Sequence, residues 1–143
     1  GVRRRIRVGS ASGPDDDAAR LSVTRRWATA EEALAFLEGR PHGGAARWAR
    51  EVLLAAEPDL RERVARGWGA LTLHHPRAGY VAGLFTYPDR ARLVWEHGVE
   101  LHDPEGLLCG DGRQVRWLAL DAPGHGLAAA IEAFLAQALA LRG

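Results

Sequence analysis

Glu96, His97, Glu100, His102, Asp103 and Glu105 bring carboxylates and imidazoles into one ten-residue stretch, the sharpest grouping of potential metal ligands in the chain. Hard oxygen donors beside imidazole nitrogen suit iron, manganese or zinc. If residues 96–102 run as one extended segment, Glu96, Glu100 and His102 share a side, because side chains alternate along a strand. A site that must release its metal can be exposed and incomplete. Against it, the spacing fits no closed metal motif, and an edge strand guarded by charge accounts for the same residues. The metal-site expectation is thus Glu96, His97, Glu100, His102 and Asp103, with iron, manganese or zinc open as the metal and no other cofactor expected.

A second constellation is aromatic. Trp68, Trp95 and Trp117 fall on three separate segments, with Arg113 and Arg116 beside the last. Aromatic rings with a few convergent polar groups serve ligand pockets and partner surfaces, although large rings also dominate cores and both arginines could simply cap an acidic loop. Other chemistry has less to stand on. His74 and His75 are adjacent, so on a strand they face opposite ways. Gly110 and Gly112 lack the strand-then-helix setting of a phosphate loop and read as a hairpin turn. Cys109 has no activating neighbours. With no acid and base paired at a recognisable spacing, the expectation is a non-catalytic module that binds a small ligand or a protein around Trp68, Trp95, Arg113, Arg116 and Trp117. A metal-handling protein using the Glu96–Glu105 cluster is the alternative, and an enzyme of unrecognised type stands third.

Several elements must position these residues. Thr29 and Glu32 form a capping box that opens a helix over Ala30–Glu38, stopped by Gly39 and Pro41. Apolar spacing from Ala45 to Ala56 predicts a second helix over 45–57, ended by Pro58. Asp59 then caps a helical turn reaching Gly67, with Leu60 and Val64 inward. Beyond it the period becomes strand-like, giving strands over 70–74, 80–87, 92–97 and 114–120. Asp103–Gly112 is a turn-rich connection whose Leu107 and Leu108 plug the core. A helix over 126–142 closes the chain through a stripe of Leu127, Ile131, Phe134, Leu135 and Ala138. The expected fold is α+β, with an antiparallel sheet of about four strands and the helices on one face.

Composition sets the outer limits. The 143 residues suit one domain, 47% hydrophobic and 26% charged, with no apolar run long enough to cross a bilayer. Net charge is +1, which argues against a surface built as a whole for nucleic acid, so neither nucleic acid nor membrane is expected as a partner. Lys, Asn and Met are absent and every base in the count of 19 is Arg, a pattern that G+C-rich bacterial codon usage leaves behind. Cys109 is alone, and Gly9–Asp17 follows the first arginines where a signal peptide would have an apolar core, so the cytoplasm is the expected location. Residues 1–20 combine basic, small and acidic runs and are expected to form a mobile tail, with residues 21–143 as the single domain.

Asp103-Pro104-Glu105-Gly106-Leu107-Leu108-Cys109-Gly110-Asp111-Gly112-Arg113-Gln114-Val115-Arg116 resembles the signature of the YdhG-like bacterial family of unknown function, D-P-x-G-L-L-x-G-x-G-[KR]-x-[VM]-R. Arg113 and Arg116 stand on the family's basic positions. Cys109 stands where an acidic residue is usual. Upstream, residues 59–71 resemble the family's helical turn and strand lead-in, with Trp68 and Gly69 in place of its Met and Pro. The resemblance spans about Ala45 to Leu141. It implies an α+β fold and, since some members are described as frataxin-like iron chaperones, delivery of iron for haem or iron–sulfur assembly.

Overall fold

The computed structural model describes residues 27–142, so the expected tail over 1–20 lies outside the described residues. Three helices, α1 (Ala30–Glu38), α2 (Gly43–Ala56) and α3 (His125–Arg142), accompany six strands. The strands are β1 (Arg61–Ala65), β2 (Ala70–His75), β3 (Gly79–Thr86), β4 (Ala91–Trp95), β5 (Leu108–Cys109) and β6 (Arg116–Ala119). They form one antiparallel sheet in the order β1-β2-β3-β4-β6-β5. The α+β class holds, and six strands replace the four expected.

Both additional strands lie where the sequence misleads. The helical turn expected over 59–67 is instead β1 followed by a short 3-10 turn at Arg66–Trp68. Its alternation is hidden because the inward position is Glu62, an acid that ordinarily marks the solvent side. Glu62 is buried and forms a two-pronged pair with Arg50 of α2, Nε donating to Oε2 and Nη2 to Oε1. Strand β5 lies within the turn-rich connection, too short to announce itself. Leu108 packs partly against the core there, whereas Leu107 is exposed rather than plugging it.

Sequence logic predicts the helices well. Thr29 and Glu32 complete the capping box in both directions, Glu32 N donating to Thr29 Oγ1 at 3.1 Å and Thr29 N to Glu32 Oε1 at 2.9 Å. Arg40, in the α1–α2 turn, donates from Nε to Thr86 Oγ1 at 2.8 Å and from Nη2 to Thr86 O at 3.1 Å, tying that turn to the end of β3. On α3, Ile131, Phe134 and Leu135 are buried, with Leu127 and Ala138 packed beside them.

One face of the sheet takes all this apolar material. Cross-strand partners share a face, and Glu62, Leu73, Ala82 and Trp95 form one such row across β1 to β4. A second row, Val64, Leu71, Leu84, Leu93 and Leu118, runs beside it. Arg50 of α2 reaches the first row through Glu62, and Phe134 of α3 meets Trp95 edge to face at 6.0 Å between centroids. The helices therefore lie on this face, as expected.

Candidate functional site

Alternation sends the intervening side chains to the opposite face. Arg63, Thr72 and Gly83 form one row, continued by Val94 and Trp117; Phe85 and Arg92 form another, and His74 pairs with Tyr80. This second face is built of rings and guanidinium groups. Trp68, on the 3-10 turn between β1 and β2, lies nearly parallel to Phe85 (17°, 6.2 Å between centroids). Phe85 in turn lies nearly parallel to Tyr87 (16°, 6.1 Å). Both pairs are stacked with an offset at these centroid separations, and the three rings form one aromatic platform. Trp68 is 50% exposed and Tyr87 37%.

Arg92 extends the platform. Its guanidinium carbon is 4.6 Å from the Tyr87 centroid and 4.0 Å from that of Trp117, a cation held between two rings. Its Nε is buried with no hydrogen-bond partner, and its nearest acid, Asp89, is 4.0 Å away from Nη2. The cation is thus held by π faces, and its Nε is sealed from solvent.

Across Gly83 lies a second cluster. Backbone N–H of Ala28 donates to Glu62 O at 2.7 Å, which docks the segment before α1 along β1 and sets Trp27 over the face. Trp27 lies 5.0 Å from the His74 ring and under the Arg63 guanidinium at 4.4 Å, and His74 is 5.2 Å from Tyr80. Burial, with Glu96 adding to it, pushes the Tyr80 phenol above its usual range. A Cβ at position 83 would lie 2.8 Å from the Phe85 ring and 3.1 Å from the Tyr80 hydroxyl, so glycine there lets both side chains lie close over the strand.

The expected ligand set is divided between the two faces. Trp68 and Trp117 join the platform, but Trp95 is fully buried on the helix side. Arg116 shares the Trp95 row, and its Nη1 donates to Gly112 O at 2.7 Å and Val115 O at 2.8 Å, bracing its own loop. Arg113 is exposed in that loop. Sequence reasoning missed Arg92, Phe85, Tyr87 and Trp27. Their common signal was present: Phe85 and Tyr87 are two apart, and Arg92 follows one short turn later.

The expected metal set does not ride on one extended segment. Strand β4 ends at Trp95 and a 3-10 turn occupies Gly98–Glu100, because Gly98 packs against Arg116, where a Cβ would meet backbone nitrogen at 2.6 Å. Glu96 accepts from Gln114 Nε2 at 3.0 Å, and His97 sits 3.9 Å from Glu100. Asp103 accepts from Leu107 N and Leu108 N, each at 2.9 Å, and the backbone of His102 is clamped by Gln137. Among the described residues, the acid and imidazole atoms that do converge, within 4.8 Å, belong to Glu57, Asp59 and His75. His75 Nδ1 accepts from Arg77 N and Ala78 N, which puts the ring proton of the neutral form on Nε2 and leaves no lone pair for a cation.

A cleft of about 450 Å³ lies between α3 and the 102–107 loop, floored by Ala129, Ala130, Ala133 and Phe134. No described helix is long and apolar enough to cross a membrane. Compared with protein families, curated proteins and solved structures, the chain shows no match.

Proposed function

We propose that this protein is a non-catalytic binding module whose open sheet face holds a flat ligand carrying negative charge. The observation that carries the reading is the stacked series of Trp68, Phe85 and Tyr87, with Trp68 and Tyr87 exposed, ending on the Arg92 guanidinium. A planar π system gains dispersion against the exposed rings, and an anionic group on its rim is attracted by the Arg92 guanidinium. Among the described residues, no acid and base are seen paired on this face at a reacting distance, which is why binding is preferred to catalysis.

The test uses calorimetry with two probes of equal charge. Naphthalene-2-sulfonate should bind saturably and cyclohexanesulfonate at least tenfold more weakly, since only the first has a π face. Trp68→Ala and Arg92→Gln should each weaken the first probe. Equal binding of the two probes, or no effect of either substitution, would refute the reading. Membership of the YdhG-like family, and the iron handling it implies, form the alternative proposal. Its supporting outcome is saturable ferrous binding abolished by Glu100→Ala with His102→Ala, and weakening as pH falls through the imidazole range near ~6.5.

A further inference from the structure

We propose that the cleft between α3 and the 102–107 loop is a second binding site, one that takes a small organic ammonium ion with an apolar body. The first argument is how the cleft is made. Its loop is braced against α3 at one end, where Gln137 Oε1 accepts from His102 N at 2.7 Å and Gln137 Nε2 donates to His102 O at 3.1 Å. Asp103 fixes the rest: its backbone O accepts from Gly106 N at 3.2 Å, and its carboxylate accepts from Leu107 N and Leu108 N at 2.9 Å each. Opposite this braced wall α3 presents Gly126, Ala129, Ala130 and Ala133, too short to reach across. The gap therefore stays open at about 450 Å³, within the roughly 300–1,000 Å³ of ligand pockets.

The second argument is the lining. Phe134 and the three alanines floor the cleft, and Pro104 and Leu107 stand on the loop side. Leu107 is 38% exposed, so an apolar body placed here would take its side chain out of water. That body would itself be covered on two sides, by the helix and by the loop. Removing apolar surface from water is the main source of affinity for such a ligand.

The third argument is charge. Among the described residues lining the cleft, Asp103 and Glu105 are acids, with the His102 imidazole beside them, and no arginine is present. Gly126 lies in the first turn of α3, whose N-terminus contributes about half a positive charge, so two carboxylates leave the cleft net negative. Each Asp103 oxygen takes one backbone N–H, whereas a carboxylate offers about four acceptor sites, so a donor from the ligand can still be received. A carboxylate already held in place loses little freedom on binding. Glu105 is exposed at the rim, within reach of the same cation. An anion would be repelled here, which sets this cleft apart from the open sheet face.

The experiment titrates three probes into the nitrogen-15-labelled full chain: cyclohexylmethylammonium, cyclohexanecarboxylate and methylammonium. The first should saturably shift the amide signals of Glu105, Ala129, Ala130 and Ala133, leave those of Trp68 and Tyr87 in place, and bind about fivefold tighter than either of the others. Ala133→Leu fills the cleft from an exposed position, and should weaken this probe roughly tenfold while the chain melts no lower than the parent. Glu105→Gln should weaken it about twofold and leave binding of uncharged cyclohexylmethanol unchanged. Should Ala133→Leu melt lower, Glu105→Gln and the order of the probes still decide. Cyclohexanecarboxylate binding as tightly as the ammonium would overturn the charge argument, and methylammonium doing so would overturn the apolar one. Indifference to both substitutions, or no saturable shift at the cleft, would also sink the proposal. If the same amides shift when the protein alone is diluted, the cleft is a contact between copies of this chain and the ligand inference falls.

Discussion

Trp95 and Trp117 sit on adjacent strands, β4 and β6, yet one is fully buried against Phe134 and the other half-buried over Arg92 on the far side of the sheet. Both faces leave a buried donor without a hydrogen-bond partner, Trp95 Nε1 and Arg92 Nε, but they differ in how their cations are held. On the helix face, the one buried acid and its cation are matched to each other: Glu62 takes two bonds from Arg50, and raises the arginine's already high pKa against the opposing effect of burial. On the open face, Arg92 is flanked by rings and keeps a donor without a partner. On one face the cation is matched to an acid, on the other to aromatic rings. Strand parity separates them, with little help from residue type.

That contrast predicts unequal losses. Phe134→Ala should destabilise by about 3–5 kcal/mol in denaturant titration, through lost burial and the cavity left under Trp95. Glu62→Ala should cost a similar ~3–5 kcal/mol, because Arg50 stays charged without its partner, while Arg50→Met with Glu62→Leu should recover most of the loss. A small effect from Glu62→Ala alone would mean that water reaches the pair. On the open face, Trp117→Ala should cost only about 1 kcal/mol for its stacked cation. Trp68→Ala should stay within ~0.5 kcal/mol.

The smallest effect concerns pH. The raised Tyr80 pKa means that folding favours the neutral phenol. Its contribution is complete below the unfolded value near ~10 and is lost as pH rises beyond it, since the unfolded chain ionises first. Melting curves between neutral pH and that region should show the decline, and Tyr80→Phe should flatten it. An unchanged decline in that variant would assign it to other groups.

How much of this was legible beforehand depends on which signal each element carries. Capping residues and apolar spacing located α1 and α3 almost to the residue, because helix periodicity is local. Strand β1 was misread because its inward position is an acid whose partner, Arg50, is distant in space-independent terms only: twelve residues away along the chain and on another element. The platform was half visible. Trp68 and Trp117 could be picked out by type, but only the pairing register separates Trp95 from them, and register is set by contacts that periodicity does not encode. Net charge is a sum without a distribution: a value of +1 for the whole chain does not show that Arg61, Arg63 and Arg92 share one face.

Five tryptophans give the central claim a direct reporter, since each contributes one indole N–H signal. Trp27, Trp68 and Trp117 belong to the open face, whereas Trp48 and Trp95 pack on the helix side. Titrating naphthalene-2-sulfonate into nitrogen-15-labelled protein should shift the first three signals, Trp68 and Trp117 most, and leave the signals of Trp48 and Trp95 in place. Movement of the Trp48 and Trp95 signals with the other three unmoved would contradict the assignment of binding to the open face.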